Sequence, residues 1–213
     1  MFQTIVKIFL LVIITAAITP FIRKLAFVLG AVDNPNARRI NKKPMPTIGG
    51  LAIFVAFNIG EFVLLRKDFP THELFSVLLA SSVIILTGLI DDILELKPRQ
   101  KMFGIFVASL VVYFLAGIKV RELSLPFLGH IQLGWWSFPL TIFWILALTN
   151  AVNLIDGLDG LATGVTLISL VTMGIVGFFF LKSWQHYVPI MCIMLAACLL
   201  GFLPYNFHPA KIF

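Results

Sequence analysis

The sequence predicts an all-α integral membrane protein with about seven transmembrane helices and an N-terminus outside the cytoplasm. Of its 213 residues, 60% are hydrophobic and 12% are charged, whereas a soluble domain usually carries about 25% charged residues. The apolar residues fall into seven runs that approach the ~20 residues needed to cross a bilayer. Because no stretch has the composition of a soluble domain, residues 1–213 are interpreted as one polytopic membrane domain.

The first apolar run covers residues 3–22 and predicts a retained membrane helix. A signal peptide would carry its positive charge before the apolar core and a small-residue cleavage site after it. Here only Lys7 lies within the run, and Arg23 and Lys24 follow it. This order places the N-terminus outside. Pro20 falls near the end of the predicted helix, where a proline costs least.

A polar, proline-rich stretch over residues 23–47 precedes the second helix, which is predicted from Gly49-Gly50 to about residue 65. The prolines argue against a continuous helix through the stretch. Lys43 lies on this stiffened segment just before the helix N-terminus, an arrangement that suits an anionic group. Ordinary loop charge is the alternative interpretation of this lysine.

Five further helices are predicted over residues 74–90, 102–117, 137–152, 161–181 and 187–204. Between the fourth and fifth, residues 119–134 alternate in part and contain turn formers, which predicts a short extracytoplasmic β-hairpin. Trp135 and Trp136 fit an aromatic belt at a membrane surface. The sixth helix carries a stripe of small polar residues that favours helix packing: Thr163, Thr166, Ser169 and Thr172.

Seven helices and an outside N-terminus place four loops on one membrane face: residues 23–47, 91–101, 153–160 and 205–213. That face holds ten of the 16 lysines and arginines: Arg23, Lys24, Arg38, Arg39, Lys42, Lys43, Lys97, Arg99, Lys101 and Lys211. Positive loops are typically cytoplasmic, which explains the net charge of +6 and predicts that this face is cytoplasmic. No basic helix or aromatic RNA-binding pattern accompanies the charge, so no nucleic acid partner is expected.

Asp91 and Asp92 close the third predicted helix and form the first candidate site. Adjacent residues on a helix point about 100° apart, so both reach one ligand only if the helix ends there. Gly88 before the pair and Pro98 after it indicate such an end. Two neighbouring carboxylates repel each other unless a cation such as Mg²⁺ or Mn²⁺ neutralises them. Alternatively, one binds while the other accepts a proton, or the pair is a solvated helix end.

Asn150, Asn153, Asp156 and Asp159 recur at steps of three between the fifth and sixth helices. Each successive pair shares a helix face, so neighbouring amide and carboxylate groups can converge on one ligand. Amides can recognise a base or a sugar, and carboxylates can hold a metal or a ribose hydroxyl. Capping of the sixth helix by Asp156 or Asp159 is the alternative.

Clustered carboxylates, a basic loop and a membrane boundary suit metal-assisted phosphoryl transfer from a water-soluble donor to a lipid acceptor. Two other classes of protein compete with this hypothesis. An ion-coupled transporter would place its acids near mid-membrane, where its helices break. A non-catalytic membrane protein would require none of these acids.

The sequence resembles the polyprenyl-phosphate N-acetylhexosamine-1-phosphate transferases over nearly its whole length. Four ordered patches carry the resemblance: Pro44-Met-Pro-Thr-Ile-Gly-Gly50, Gly88-Leu-Ile-Asp-Asp92 with Lys101, Asn150-Ala-Val-Asn-Leu-Ile-Asp-Gly-Leu-Asp-Gly160, and Tyr205-Asn-Phe-His-Pro-Ala-Lys-Ile-Phe213. The resemblance implies transfer of a sugar 1-phosphate from a UDP-sugar to undecaprenyl phosphate, with release of UMP. The implied cofactor is Mg²⁺ or Mn²⁺.

The resemblance also implies a role for each candidate residue. Asp91 and Asp92 match a catalytic acidic pair, and Asp92 and Asp156 match metal ligands. Residues that match the substrate site are Lys43, Asn150, Asn153, Asp159, Asn206 and Phe213. The implied partners are a UDP-N-acetylhexosamine, undecaprenyl phosphate, membrane lipids and, in a homodimer, a second copy. The implied location is the bacterial plasma (inner) membrane, with a multi-pass chain and a cytoplasmic active site.

Two details of the resemblance concern the substrate and the extent of the site. The segment Val32-Asp-Asn-Pro-Asn-Ala-Arg38 resembles the branch that uses UDP-N-acetylglucosamine, which begins teichoic acid or lipopolysaccharide O-antigen synthesis. The branch that uses UDP-N-acetylmuramoyl-pentapeptide, for peptidoglycan, is the alternative. The family continues past the position of Phe213 with a Gly-Asp motif that supplies a metal ligand. A C-terminally truncated chain with an incomplete site is therefore expected.

Overall fold

The described part of the chain folds into seven α-helices, as the sequence predicts. The computed structural model describes residues 2–33, 44–64, 66, 71–125, 129–180 and 187–213. The helices are α1 Phe2–Leu29, α2 Gly50–Ile59, α3 Thr71–Leu94, α4 Pro98–Phe114, α5 Ser137–Ile155, α6 Leu161–Phe180 and α7 Tyr187–Asn206. A π-helical turn, Gly60–Leu64, continues α2.

Five helical segments of the described chain are long and apolar enough to cross a membrane. They are Gln3–Leu29, Leu74–Leu94, Gly134–Ile155, Leu161–Phe180 and Tyr187–Asn206. The apolar stretch Gly50–Leu64 and the 17-residue α4 are shorter. These lengths support an integral membrane protein. That all seven helices cross the membrane, with the N-terminus outside, stays a prediction.

α1 is longer than predicted, because it continues past residue 22 to Leu29. Pro20 therefore lies inside the helix, and its missing N–H leaves the Ala16 carbonyl without its usual helical partner. The hydroxyl of Tyr205 on α7 donates to that carbonyl at 3.0 Å. A side chain from another helix thus supplies the hydrogen bond that the proline removes. The expectation that Pro20 lies near the helix end is wrong for this reason.

Two short antiparallel strand pairs accompany the helices in the described residues. β1 (Val32–Asp33) pairs with β2 (Met45–Pro46) and joins the ends of the stretch between α1 and α2, a contact that was not predicted. β3 (Glu122–Leu125) pairs with β4 (Gly129–Gln132). The second pair confirms the hairpin predicted within residues 119–134.

α7 is the central helix of the bundle, since it packs against α6, α1 and α2. Its residues Met194 and Phe202 are buried in two apolar clusters that α1 and α2 complete. Gly201 permits the close approach of α7 to α1, because a Cβ at that position would collide with the Val12 backbone. Farther along the bundle, α3 packs against α2 and α4, and α4 packs against α5. This order brings the starts of α2 and α4 beside the ends of α3 and α5.

Candidate active site

A cleft of about 390 Å³ lies where α3 and α5 end and α2 and α4 begin. Its volume is within the ~300–1,000 Å³ typical of small-molecule sites. The polar part of its wall includes Thr47, Thr87, Asp91, Asp92, Lys101, Thr149, Asn153 and Asp156. The apolar part includes Ile48, Leu51, Ile84, Ile85, Leu89, Ile105, Val152 and Phe213. The cleft therefore places charged groups beside an apolar surface.

Asp91 and Asp92 reach the cleft because α3 ends directly after them. The helix stops at Leu94, and Glu95 adopts a left-handed conformation with a φ of 48°. The Leu96 N–H then donates to Oδ1 of Asp91 at 3.1 Å, which stabilises the turn that follows the helix. Both carboxylates line the cleft, as the predicted helix end requires.

Lys101 links the three helices that carry the charged groups. Because α4 begins at Pro98, Lys101 lies near the start of that helix and beside the end of α3. Its Nζ donates to Oδ2 of Asp91 at 2.7 Å and to Oδ1 of Asn153 on α5 at 3.1 Å. Both oxygens of Asp91 are therefore engaged by the protein, so Asp91 holds Lys101 in place. The matched patches include Lys101, but its contacts could not be derived from the spacing.

Asp92, near the end of α3, and Asp156, directly after α5, line the same cleft. Asp92 interacts with the Thr47 hydroxyl and lies close enough to Asp91, Lys101 and Asp156 to experience their charges. Asp156 directly follows the last residue of α5 and is exposed to the cleft. The protein around the cleft still withdraws Asp156 partly from bulk water, and this desolvation raises the pKa of its carboxyl. The two carboxylates thus face one cleft.

The donor set fits Mg²⁺ in the form in which enzymes usually bind it. Within the described residues, no group of three or more His, Cys, Asp or Glu side chains is placed to hold a metal ion. Mg²⁺ is commonly held by one or two carboxylates, while water and substrate phosphates complete its octahedron. Asp92 and Asp156 meet that requirement, because both offer carboxylate oxygens to the same cleft.

The Asn/Asp series at steps of three is only partly brought together. Asn153 and Asp156 line the cleft, but Asn150 and Asp159 do not. The Nδ2 of Asn150 instead donates to the sulfur of Met102 at 3.0 Å. Three residues advance the direction of a side chain by about 300°, so each step of three drifts by about 60°. This drift turns Asn150 away from Asn153 within α5, whereas Asp159 lies beyond the end of that helix, in the turn before α6.

Asp159 contacts the C-terminal segment, defined here as residues 207–213. Its Oδ2 accepts the Ala210 N–H at 3.0 Å and lies 2.8 Å from Nδ1 of His208. The Ala210 N–H, and next to it His208, lower the pKa of the Asp159 carboxyl, because both interactions favour its charged form. In the structure Asp159 therefore fastens the C-terminal segment to the α5–α6 loop.

We expect Asp159→Asn to destabilise the protein at neutral pH but not in acid. Because the native pKa is lowered, the carboxylate stabilises the fold above the pKa of the unfolded chain, and this contribution is lost as the pH falls through the native pKa. The unfolding midpoint in detergent should drop by roughly 1–3 °C at pH 7, and the difference should shrink below about pH 4. Glu95→Gln is the control. A difference in unfolding midpoint between Asp159→Asn and the wild type that stays constant with pH contradicts the prediction.

Asn206 lies behind the cleft wall. It is 2% exposed, and its Nδ2 donates to the Ile212 carbonyl at 3.0 Å. Its Oδ1 accepts the Thr163 hydroxyl at 2.7 Å. Both polar atoms of this predicted substrate residue are thus engaged by the protein. The structure places Asn206 where it supports the C-terminal segment.

Phe213 lines the cleft and is held there by its backbone. Its N–H donates to the Pro46 carbonyl at 2.8 Å, and its carbonyl accepts the Gly49 N–H at 2.6 Å. Thr47, which also lines the cleft, lies between these two partners in the chain. The C-terminal segment and the start of α2 therefore form one wall of the cleft together.

We expect Gly49→Ala to destabilise the protein by about 1–3 kcal/mol, the usual cost of overpacking. A Cβ at Gly49 would lie 2.5 Å from the Phe202 ring and 2.6 Å from the Phe213 carbonyl oxygen, and that backbone atom cannot move aside easily. Gly50→Ala is the matched control, because its Cβ would meet nothing closer than Ile85 at 3.8 Å. Thermal unfolding of the two variants measures the difference, and equal destabilisation contradicts the prediction.

Lys43 lies outside the described residues, as does most of the segment that resembles the UDP-N-acetylglucosamine branch. The predicted role of Lys43 stays a prediction.

Glu61 was missed by the sequence reasoning, although it is the acidic residue within the second apolar run. It is fully buried in the π-helical turn, and its carboxylate oxygens have no hydrogen-bond partner among the described residues. Glu61 does not line the cleft.

Comparison with known proteins identifies similar chains in bacteria. Residues 74–213 match the family described as Glycosyl transferase family 4. The chain is 39% identical over 197 residues to the Bacillus subtilis protein named "Probable undecaprenyl-phosphate N-acetylglucosaminyl 1-phosphate transferase", covering 92% of this chain and 53% of that protein. It is 35% identical over 204 residues to a phospho-N-acetylmuramoyl-pentapeptide-transferase of Clostridium botulinum, covering 91% and 61%.

A third relative matches the whole chain. The phospho-N-acetylmuramoyl-pentapeptide-transferase of Bacillus velezensis is 32% identical over 232 residues, covering 100% of this chain and 68% of that protein. The chain thus spans between about half and two thirds of the length of these curated relatives.

Proposed function

We propose a function for this chain from the premise that it belongs to glycosyl transferase family 4. In the intact protein, the cleft transfers a sugar 1-phosphate from a UDP-sugar to undecaprenyl phosphate and releases UMP. The preferred donor is UDP-N-acetylglucosamine, because the B. subtilis relative carries a name with that sugar at 39% identity. The reaction would be the first membrane step of an envelope polymer.

One observation supports this function above the others: the same cleft has a charged wall and an apolar wall. A nucleotide sugar carries a diphosphate whose charge must be neutralised, and Lys101 together with one cation held by Asp92 and Asp156 would suit it. A polyprenyl phosphate joins a phosphate to a hydrocarbon chain. Side chains such as Leu51, Ile105 and Val152 would contact the chain while its phosphate meets the charged wall.

In the proposed reaction, an oxygen of the lipid phosphate attacks the β-phosphorus of the UDP-sugar. A bond forms between that oxygen and the β-phosphorus, the bond to the bridging oxygen breaks, and UMP leaves with the electron pair. Negative charge grows on the leaving oxygen, and the ammonium of Lys101 is placed in the cleft to stabilise it. Asp91 holds Lys101 in position through their 2.7 Å contact.

Asp92 and Asp156 would hold Mg²⁺ between them. When bound, the ion would neutralise the diphosphate and stabilise charge on the leaving oxygen. The two carboxylates belong to the end of α3 and the residue after α5, so they define where the diphosphate lies relative to Lys101. Thr47 orients Asp92 from the start of α2.

The proposed location is the bacterial plasma membrane, with the cleft at the cytoplasmic face. Long apolar helices and bacterial relatives support a membrane location. The excess of lysine and arginine that the sequence predicts on one membrane face supports the orientation. UDP-sugars are cytoplasmic, which requires the same side.

The test is transfer of label from UDP-[14C]N-acetylglucosamine to undecaprenyl phosphate by the purified intact protein. With Mg²⁺, labelled lipid and UMP should form in equal amounts, and EDTA should abolish both products. Failure to label the lipid from any UDP-N-acetylhexosamine donor contradicts the proposed function.

A second donor is favoured by relatives at 32–35% identity that are named phospho-N-acetylmuramoyl-pentapeptide-transferases. The same assay therefore includes UDP-N-acetylmuramoyl-pentapeptide at equal concentration. Preferential transfer from this donor would assign the chain to peptidoglycan synthesis and overturn the UDP-N-acetylglucosamine assignment.

A further inference from the structure

The threonine and serine stripe of α6 is not a uniform packing surface. Ser169 and Thr172 are exposed, and each donates to a carbonyl one turn back in α6 at 2.9 Å. Thr163 is 6% exposed and donates across the helix interface to Asn206 at 2.7 Å. The structure thus gives Thr163 a contact that the spacing of the stripe did not predict.

The Ile212 carbonyl determines which way the Asn206 amide faces, and Thr163 supplies the partner of the amide oxygen. The Ile212 carbonyl can only accept a hydrogen bond, so the Asn206 NH₂ must face it, and their separation is 3.0 Å. The Asn206 oxygen then faces Thr163, whose hydroxyl must donate. Without that hydroxyl, the buried amide oxygen of Asn206 loses its hydrogen-bond partner, and the position of Asn206 becomes less favourable.

The hydrogen bonds continue from Asn206 to the cleft. Ile212 directly precedes Phe213, whose backbone binds Pro46 and Gly49 at 2.8 Å and 2.6 Å. Phe213 and Thr47 both line the cleft. A sequence of contacts therefore leads from the first turn of α6, through the end of α7, to the wall formed by Thr47 and Phe213.

We propose that Thr163 is a positioning residue that holds this wall of the cleft in its ligand-binding geometry by donating a hydrogen bond to the buried Asn206 amide oxygen. The proposal rests on the proposed function, since it takes the cleft to be the UDP-sugar site. The charged groups on α3, α4 and α5 are held separately through Lys101. Loss of the Thr163 hydroxyl should therefore weaken donor binding more than it slows the chemical step.

The first test is hydrogen–deuterium exchange of the intact protein, which needs no activity. Thr163→Val keeps the shape of the side chain and removes the donor, so the amides of Gly49 and Phe213 should exchange roughly tenfold faster than in the wild type. Thr172→Val is the matched control, because its hydroxyl contacts only its own helix. Unchanged exchange in Thr163→Val, or equal acceleration in Thr172→Val, would overturn the proposal.

The second test separates positioning from general stability by kinetics and rescue. Thr163→Val should raise KM for the UDP-sugar by about fivefold to tenfold and leave kcat within about threefold. Thr163→Ser should restore the wild-type KM, and Thr163→Cys, a weaker donor, should lie between serine and valine. A KM for Thr163→Ser as high as that of Thr163→Val would overturn the role of the hydroxyl.

The two tests distinguish this proposal from the proposed function. A wild-type protein that transfers no sugar phosphate contradicts the proposed function. Even then, faster exchange of the Gly49 and Phe213 amides in Thr163→Val, but not in Thr172→Val, would support the positioning role of Thr163. If Thr163→Val does not fold, Thr163→Ser and Thr163→Cys provide the same test. The Gly49 and Phe213 amides should exchange faster in the cysteine variant, because cysteine is the weaker donor, and equal exchange in both variants would overturn the proposal.

Discussion

Asp92→Asn should lower the rate of sugar 1-phosphate transfer by at least ~100-fold while the protein remains folded. Asp92 lines the cleft, and within the described residues it makes no ion pair as short as the one between Asp91 and Lys101. Its charge is therefore available to a metal–diphosphate complex. Asparagine keeps the size of the side chain and an oxygen that Thr47 can contact, so the fold should tolerate the change.

Initial rates with saturating Mg²⁺, together with the unfolding midpoint, measure this prediction. Glu95→Gln is the matched control, because it also neutralises a carboxyl group at the end of α3 but does not line the cleft. Its rate should stay within about twofold of the wild type. A wild-type rate in Asp92→Asn contradicts the assignment, and an equal loss in both variants would indicate a general sensitivity of this turn to charge.

The helices could be predicted from hydropathy because apolar side chains must face lipid or one another along each span. The predicted end of α1 was wrong because the deciding contact is not local. Pro20 should weaken a helix, yet Tyr205 supplies the missing partner to Ala16 from a position 189 residues away. A pattern within one apolar run carries no information about such a contact. The β1–β2 pairing between Val32 and Pro46 was missed for the same reason.

The residue types that line the candidate site follow from the sequence patterns, but the separate contacts of each residue do not. The spacing treats Asp91 and Asp92 alike, whereas the structure engages both oxygens of Asp91 with Leu96 and Lys101. That difference depends on how the turn between α3 and α4 folds. Periodicity can place residues on a helix face, but it cannot show which of them a neighbouring loop will bind.

The contacts of the C-terminal segment are a second example of interactions that spacing could not predict. Asp159 and Asn206 carry the same polar groups as cleft residues, and the spacing of the series does not separate Asp159 from Asn153 and Asp156. In the structure each instead binds the C-terminal segment, through Ala210 and Ile212 respectively. Their effect on the cleft is therefore transmitted through the position of that segment.

Asp156→Asn should also lower transfer by at least ~100-fold at low millimolar Mg²⁺, with partial recovery as the Mg²⁺ concentration rises. An amide oxygen is a neutral and weaker ligand than a carboxylate, so the variant should need more metal for half-maximal rate. Raising Mg²⁺ compensates for weaker binding but cannot replace a group that acts directly on the substrate. The Mg²⁺ dependence thus separates a metal ligand from a residue that contacts only the nucleotide sugar.

Asp159→Asn is the informative comparison, because it makes the same substitution three residues along the same loop. Asp159 lies outside the cleft lining and is bound to Ala210 and His208, so its replacement should leave the half-maximal Mg²⁺ concentration unchanged even if donor binding weakens. Equal shifts in both variants would mean that the loop as a whole, rather than the Asp156 carboxylate, determines metal binding. A shift confined to Asp156→Asn would place the metal between α3 and α5, where Lys101 already joins the two helices.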